Sequence, residues 1–367
     1  MRVRVQFSFP DACPIGVRRS TASATPSEKE AATFGNPRCG GIILNPDDSF
    51  ILHEDDEILV VAEDDDTYRP TVSARPSAGS LPTWLPPHQD NENVLLLGWR
   101  RDLYDMLQEL DKYVRRGCIV TVLAPVPVDD RQTMLEAGKA GPLTLRNIEL
   151  HHVCGSTTYR RDIEAVMRAQ AFSSALVLSS EGGGGHRGND NAEDSRALTT
   201  LLLVRDIRQT LMRQAAWGAT KNGDRAGADE AAVQPEDFTL LGEILDMETK
   251  DLVASAGVSD YIMSNRLMSK VMAMVAEEDS IGPLFEQLFA EEGDEIYVRD
   301  VRCYCRIGER LSFWELGARA RLRGDIVLGY KRGGAEVILN PAQKTEPISW
   351  EEGDFLIVIG DDGESSA

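Results

Sequence analysis

The residues with the clearest chemical potential form one short turn, Gly98-Trp99-Arg100-Arg101-Asp102, directly after an apolar run. In a doubly wound sheet the ligand crevice lies at the carboxyl ends of the strands, where this turn falls. A dinucleotide-binding turn needs three glycines, and here only Gly98 is present. Trp99 and Arg100 stand where a bulky side chain would block the pyrophosphate. We therefore take all five residues as candidate ligand-binding residues but do not expect NAD to be a cofactor.

The second strand of the pattern ends in Leu123-Ala124-Pro125 and lacks the acidic residue that would hold the ribose hydroxyls. Arg100 and Arg101 could still bind an anion, because the amides of a helix N-terminus point outward there. The alternative, which we favour, is that they pair with acidic neighbours such as Asp102 or with a facing subunit.

Acidic clusters offer a second kind of site, since hard divalent cations prefer oxygen ligands. They stand at the ends of predicted elements, where backbone carbonyls could add further ligands. Solvated acidic faces are the commoner role for such runs. The candidate calcium ligands are Asp64, Asp65, Asp66, Glu277, Glu278, Asp279, Glu291, Glu292 and Asp294.

Sequence signatures of catalysis are missing from the chain. There is no Gly-x-Ser-x-Gly, no His-Glu-x-x-His, no EF-hand loop and no phosphate-binding P-loop. The six cysteines include no Cys-x-x-Cys pair, and we expect free buried thiols. Cys303 and Cys305 are predicted on one face of a strand. The chain is therefore not expected to be an enzyme.

The charge balance narrows the class of partner. Sixty acidic residues against 39 basic ones give a net charge of −21, which repels nucleic-acid phosphates. With 42% hydrophobic residues the composition is that of a globular protein. No apolar stretch approaches the roughly 18–20 residues that a membrane-spanning helix needs. We expect no nucleic-acid partner, no direct membrane span in this chain, and a soluble protein if the chain is complete.

Short apolar strands alternate with helical stretches between residues 93 and 264. Strands joined by helices of this length form right-handed crossovers and a parallel sheet. Two further helices are predicted in 265–290. The fold class expected is α/β, with a Rossmann-like doubly wound sheet, a helical crossover and small β-rich lobes.

An internal repeat predicts the β-rich lobes. Ile-Leu-Asn-Pro occurs at 43–46 and again at 338–341, each time followed by an acidic turn and a strand rich in β-branched residues. A Pro- and Ser-rich stretch, 69–92, reads as a linker after the first copy.

Several long strings resemble the CASTOR/POLLUX family of ion channels. They are LLLGWRRD (95–102), DSRALTTLLLVRDI (194–207), VSDYIMSN (258–265), MAMVAE (272–277), LFAEEG (288–293) and DIVLGY (325–330). The resemblance implies tetrameric cation channels with a potassium-channel layout, in which RCK-type regulatory domains follow the pore. Members are described in plants at the nuclear envelope, where they support calcium oscillations. For this chain the resemblance implies a calcium-responsive gating ring on the cytosolic or nucleoplasmic face of a membrane.

The resemblance also sets the expected domains. Residues 1–68 would be the C-lobe of a first, truncated RCK domain, 93–264 the Rossmann-like lobe of a second, 265–290 its crossover helices, 291–361 its C-lobe and 362–367 a tail. The pore and the first Rossmann-like lobe are not expected in this chain. It would therefore act with a channel pore domain as its partner.

Self-association through the crossover helices follows from the same resemblance. An apolar stripe there comprises Leu267, Met268, Val271, Met272 and Val275; its alternative role is ordinary core. Three other functions remain open: a soluble TrkA-like regulatory subunit of a potassium transport system, an NAD-dependent oxidoreductase, and a structural interaction module that binds no ligand. The first predicts an intact nucleotide fingerprint, and the second also predicts an acid–base residue at a strand end.

Overall fold

The computed structural model describes most of the chain in two compact units, one made of residues 1–88 and 274–367 and the other of 89–273. We call them the β-rich unit and the sheet unit. The described residues are 5–20, 41–64, 67–71, 76–84, 92–100, 102–137, 141–179, 190–221, 238–246, 249, 252–253, 261–278, 281–290 and 293–361.

The sheet unit is built on six parallel strands in the order β6-β5-β4-β7-β8-β9. This order runs outward from a central strand in both directions, as in the dinucleotide-binding fold, and it confirms the predicted Rossmann-like class. Between β4 and β7 the direction of winding reverses. The strands are β4 (Asn93–Leu97), β5 (Cys118–Ala124), β6 (Ile148–Cys154), β7 (Ser174–Val177), β8 (Thr239–Ile244) and β9 (Tyr261–Met263).

Helices cover both faces of this sheet, which is why β4 reads as an unbroken apolar run. Its side chains alternate: Leu95 and Leu97 pack with α3 and α4, whereas Val94 and Leu96 pack on the other face, with α1 and α2. The helices are α1 (Leu103–Tyr113), α2 (Val128–Glu136), α3 (Arg160–Ala169), α4 (Asp190–Lys221), α5 (Ser264–Glu277) and α6 (Ile281–Leu288). Helix α5 continues from the sheet unit into the β-rich unit.

The β-rich unit holds two small antiparallel sheets, β2-β1-β3 and β10-β15-β12-β13, and a two-stranded ladder, β11-β14. Helix α7 (Phe313–Ala320) begins with a capping box in which Ser312 and Glu315 bond each other's backbone amides. The strands are β1 (Ala12–Arg18), β2 (Ile42–Leu44), β3 (Glu57–Ala62), β10 (Glu295–Asp300), β11 (Arg310–Leu311), β12 (Ile326–Lys331), β13 (Val337–Leu339), β14 (Ile348–Ser349) and β15 (Phe355–Gly360).

The repeat in the sequence is also a repeat in the backbone. Strand β1 lies between β2 and β3 as β12 lies between β13 and β15, and each central strand has a register shift ending at a glycine, Gly16 or Gly329. A Cβ at either glycine would lie within 2.5 Å of a carbonyl oxygen on the neighbouring strand. Asn45 and Asn340, one from each Asn-Pro, both have positive φ, 42° and 46°.

The two copies are joined by a reciprocal exchange of hydrogen bonds. The side-chain amide of Asn45 donates to the carbonyl of Gly324, at 2.7 Å, and that of Asn340 donates to the carbonyl of Asp11, at 2.8 Å. Their apolar side chains form one core, which includes Ile15, Ile42, Leu44, Ile326, Leu328, Ile357 and Ile359. The two copies of the repeat therefore pack together in one compact unit. The domain boundaries predicted from the sequence remain predictions.

Two expectations about cysteines need correction. The strand predicted at Cys303 and Cys305 is wrong, because Val301–Cys303 is a short 3-10 helix that follows β10. Four thiols are buried, those of Cys13, Cys118, Cys303 and Cys305, but Cys154 at the end of β6 is exposed. Cys39 lies outside the described residues. Within the part of the chain that the structure covers, no helix is long and apolar enough to cross a membrane.

Candidate functional site

The turn after β4 is tight and lies against the neighbouring strand. Gly98 has φ +124°, a conformation that side chains disfavour, and a Cβ there would stand 2.8 Å from the carbonyl oxygen of Leu178. Its amide donates to the carbonyl of Leu123, at 3.0 Å. The single glycine of this turn is thus accounted for by packing between β4, β5 and the residues after β7.

Arg100 in this turn is held by two carboxylates. Its guanidinium donates to both oxygens of Asp102, at 2.8 and 2.6 Å, and to Oε1 of Glu243 on β8, at 2.5 Å. The hydrogen bonds to Asp102 and then to Glu243 raise the pKa of Arg100. Oε2 of Glu243 in turn accepts from the amide of Ser179, at 3.2 Å. Arg100 therefore pairs with acidic residues, as in the alternative we favoured; Arg101 lies outside the described residues.

Trp99 belongs to a cluster at the carboxyl ends of β5 and β6. The fully buried Arg131 of α2 places its guanidinium carbon 5.5 Å from the centre of the Trp99 ring. That guanidinium donates to the carbonyls of Val126, at 2.8 Å, and of Val122 and Val153, both at 3.1 Å. It also donates to the carbonyl of Ala124. Burial lowers the pKa of Arg131, yet its normal value is so high that the group stays charged.

His152 on β6 completes the cluster, with its ring centre 6.3 Å from that of Trp99. Burial, then the charge of Arg131 and the neighbouring His151, lower the pKa of His152 from 6.5. Its buried Nδ1 has no hydrogen-bond partner within the described residues. Trp99, Arg131 and His152 thus stand at the edge of the sheet where a dinucleotide would lie in a fold of this order. At this edge Arg100 is therefore paired with carboxylates and Arg131 with backbone carbonyls.

Sequence reasoning did not identify Arg131 or Glu243. Arg131 stands in a polar stretch of helix, and the only cue is that a helix following a strand end can direct a side chain back to the free carbonyls. Two buried aspartates were also missed. Asp111 accepts from the amides of Arg146, Asn147 and Ile148, and Asp194 from those of Leu245 and Asp246.

The acidic calcium candidates are only partly described, because Asp65, Asp66, Asp279, Glu291 and Glu292 lie outside the described residues. No three potential metal ligands meet within the described ranges. Of the others, Glu278 accepts from Arg18, at 3.3 Å, and Asp294 accepts from the amide of Asn45, at 2.5 Å. Burial raises the pKa of Asp294. Asp64 lies two residues beyond the end of β3, and Glu277 is the last residue of α5. The calcium assignment therefore stays a prediction.

The predicted interface stripe lies on α5, which contains no buried residue. Leu267, Met268 and Met272 are 57%, 61% and 66% exposed, and Val271 and Val275 are half-buried. Such a row of exposed apolar side chains is typical of a surface that another element covers. Its partner remains a prediction.

The relatives that comparison finds for this chain are named as ion channels. Residues 2–77 match the family described as Castor and Pollux, part of voltage-gated ion channel. "Ion channel CASTOR" from Lotus japonicus is 37% identical over 97% of this chain and 40% of its own length. "Probable ion channel POLLUX" from Oryza sativa is 35% identical over 99% and 36%. "Ion channel DMI1" from Medicago truncatula is 35% identical over 97% and 39%.

Two solved structures show weak similarity. The GsuK RCK domain has a TM-score of 0.29 at 13% identity, covering 79% of this chain and 48% of its own. The GsuK channel bound to NAD has 0.23 at 11%, covering 77% and 79%. With TM-scores this low, the fold assignment rests on the strand order described above. From sequence identity over nearly its whole length, the chain is a member of the CASTOR/POLLUX ion-channel family, and it spans about two fifths of the length of the curated relatives that it matches.

Proposed function

We propose that this chain is the regulatory portion of a CASTOR/POLLUX-type cation channel, acting on ion transport through a pore domain that it does not itself form. The observation that carries the proposal is the 34–37% identity to seven curated ion channels across nearly the whole chain. A Rossmann-like sheet with paired β-rich lobes suits a regulator, because it offers a ligand crevice and interaction surfaces without needing catalytic groups.

The regulatory mechanism we propose is a ring of subunits, four in the full channel, that associate through α5. The exposed Leu267, Met268 and Met272 would be buried in that contact, together with Val271 and Val275. A ligand that binds one ring geometry more tightly than another would then bias the pore, by no more than its difference in affinity for the two states. Calcium is the ligand we propose, through the acidic clusters, at the cytosolic or nucleoplasmic face of a membrane such as the nuclear envelope.

A channel chimaera tests the regulatory role. The matching part of Lotus japonicus CASTOR would be replaced by this chain, and currents recorded in patches with and without millimolar calcium on the regulatory side. We expect current whose open probability changes with calcium. Reversing the charge of Glu277 and Asp64 should remove that response, while Glu109→Lys on the exposed side of α1 should leave it intact. Current that ignores calcium in every chimaera would refute the calcium assignment, and absence of current with normal surface expression would count against the regulatory role.

Light scattering of the purified chain tests the ring separately. We expect a dimer or larger assembly whose mass falls in the double variant Met268→Asp, Met272→Asp. Met134→Asp, a methionine that is 55% exposed on α2, provides the matched control and should leave the mass unchanged. A monomer in the unmodified chain would contradict self-association through α5 alone.

A further inference from the structure

The repeat supplies an internal comparison between two edge strands. Strands β2 and β13 occupy equivalent positions beside β1 and β12, and their sequences correspond as Ile42-Ile43-Leu44 and Val337-Ile338-Leu339. Each is followed by the Asn-Pro turn with an asparagine at positive φ. The two strands therefore present equivalent apolar side chains at the outer edges of their sheets.

Strand β2 is covered by a helix. Leu284 and Leu288 of α6 pack against the core that contains Ile42 and Leu44. Between them on the helix, Gln287 donates from Nε2 to the carbonyl of Ile42, at 2.9 Å. Ile42 and Leu44 are as a result only 7% and 9% exposed. The helix thus buries the apolar row of β2 and satisfies a backbone carbonyl at the edge of the described sheet.

Strand β13 carries the same row, and no helix of the described residues covers it. Val337, Ile338 and Leu339 are 50%, 44% and 51% exposed. The carbonyl of Val337 occupies the position that the Ile42 carbonyl has in β2. An exposed apolar edge strand invites pairing or aggregation, and proteins usually cover such an edge with a helix or place charges on it. The two strands are otherwise equivalent, so the difference in exposure of their apolar side chains indicates that β13 is a surface for binding a partner.

The charged residues beside the two edge strands indicate what kind of partner would bind β13. Next to the covered strand, Arg18 at the end of β1 forms ion pairs with Glu57 of β3 and, at 3.3 Å, with Glu278 in the segment that leads into α6. The residue equivalent to Arg18 is Lys331, at the end of β12. Within the described ranges Lys331 has no ion-pair partner. The row on β13 is thus flanked by a cation, Lys331, at the position where Arg18 of the first copy binds the carboxylate of Glu278.

We propose that β13 is a docking strand for an amphipathic helix of a partner polypeptide, one that resembles α6 in its chemistry. Such a helix has two leucines four residues apart, a glutamine between them for the Val337 carbonyl, and an acidic residue upstream for Lys331. This inference is independent of the role of α5 in the proposed ring, because β13 shares no residue with the apolar stripe on α5.

A peptide carrying these features provides the test. The probe is a fluorescent peptide with the sequence of residues 274–290, which contains Glu278 and all of α6. Added to the full chain, it should bind saturably, as measured by fluorescence anisotropy. Leu339→Lys should weaken that binding by about tenfold or more, because one leucine contact is lost. Val298→Lys changes a 63% exposed side chain on β10, the other edge strand of the same sheet, and should leave the affinity unchanged.

A charge exchange distinguishes this strand from other apolar surfaces. Lys331→Glu should weaken binding of the unmodified peptide, and the peptide with Glu278→Lys should restore it. Absence of saturable binding would overturn the proposal. So would binding that is insensitive to Leu339→Lys, since the peptide would then be displacing α6 from β2. If Leu339→Lys instead dissociates a dimer of the chain without peptide, a second copy covers β13 and the helix partner is wrong. Circular dichroism of each variant checks that the surface changes leave the fold intact.

Discussion

Replacing Gly98 by alanine tests whether the turn after β4 is shaped by packing. The new Cβ meets two separate obstacles. The φ of +124° is nearly restricted to glycine and costs of order 1–3 kcal/mol for any other residue. The Cβ would also lie 2.8 Å from the carbonyl oxygen of Leu178, a backbone atom that cannot turn aside, and such overpacking adds about 1–3 kcal/mol. We expect Gly98→Ala to lower the free energy of unfolding of the sheet unit by about 2–6 kcal/mol.

Gly141→Ala is the matched control, because it isolates the first obstacle. Gly141 also belongs to the sheet unit and has φ +105°, but no atom of the described residues lies within 4 Å of its added Cβ. Alanine restricts the unfolded chain equally in both variants, so that contribution cancels. The difference between the two variants is therefore the steric cost at Leu178, about 1–3 kcal/mol in favour of Gly141→Ala.

Hydrogen exchange measured by mass spectrometry suits this comparison, since it follows the sheet unit within the full chain. The slowest amides of β4, β5 and β7 should exchange about tenfold faster or more in Gly98→Ala than in Gly141→Ala, because 1.4 kcal/mol corresponds to a factor of ten. Equal exchange in the two variants would mean that the turn relaxes away from Leu178 without cost. Gly98 would then need another explanation, such as close approach of a ligand.

Three further predictions concern the crevice and the thiols. The pKa of His152 in the folded chain lies below 6.5, so on acidification the unfolded chain binds this proton first. The free energy of unfolding should therefore fall as the pH drops from 6.5 towards the folded pKa, by at most about 1.4 kcal/mol per pH unit. Urea titrations of His152→Gln should lack that slope and those of His151→Gln should keep it; equal slopes would contradict the assignment. Arg131→Met should cost about 3 kcal/mol in the same titrations, since four carbonyls lose a charged donor, and a loss under 1 kcal/mol would refute that role. In native protein at pH 8, a thiol reagent followed by peptide mass spectrometry should modify exposed Cys154 within minutes and spare Cys118, whose pKa burial raises to about 11; prompt labelling of Cys118 would show that its strand opens readily.

The sheet unit illustrates what a local pattern can predict. Strand β4 is an apolar run because both of its faces are covered, and the run together with the helices that follow it was enough to predict a parallel doubly wound sheet. The Ile-Leu-Asn-Pro repeat predicted two β-rich lobes, since each motif determines its own strand and turn. The missing glycines of the first turn likewise argued against a standard dinucleotide site. All of these features could be predicted because each depends on residues that are close together in the sequence.

The site is different, because its members come from distant parts of the chain. Arg100 meets Glu243 across 143 positions. Arg131 reaches carbonyls both on β5, which precedes its helix, and on β6, which comes later in the chain. Neither pairing can be predicted from sequence periodicity. A charged residue on a helix is predicted to be solvent-exposed unless the positions of the neighbouring strands are known. The same holds for Cys303, where an apolar stretch reads equally well as a strand or a tight 3-10 turn.

The sequence by itself determined the family, the class of fold, the two repeated lobes and the apolar row on each edge strand. The tertiary structure decided which row is covered: Leu44 is buried beneath α6, whereas Leu339, in an identical motif, is half exposed. It also decided that Asn45 and Asn340 join the two copies by reciprocal hydrogen bonds. The physical reason is that strand and turn formation depend on neighbours in the chain, whereas burial and charge pairing depend on which surfaces meet after folding.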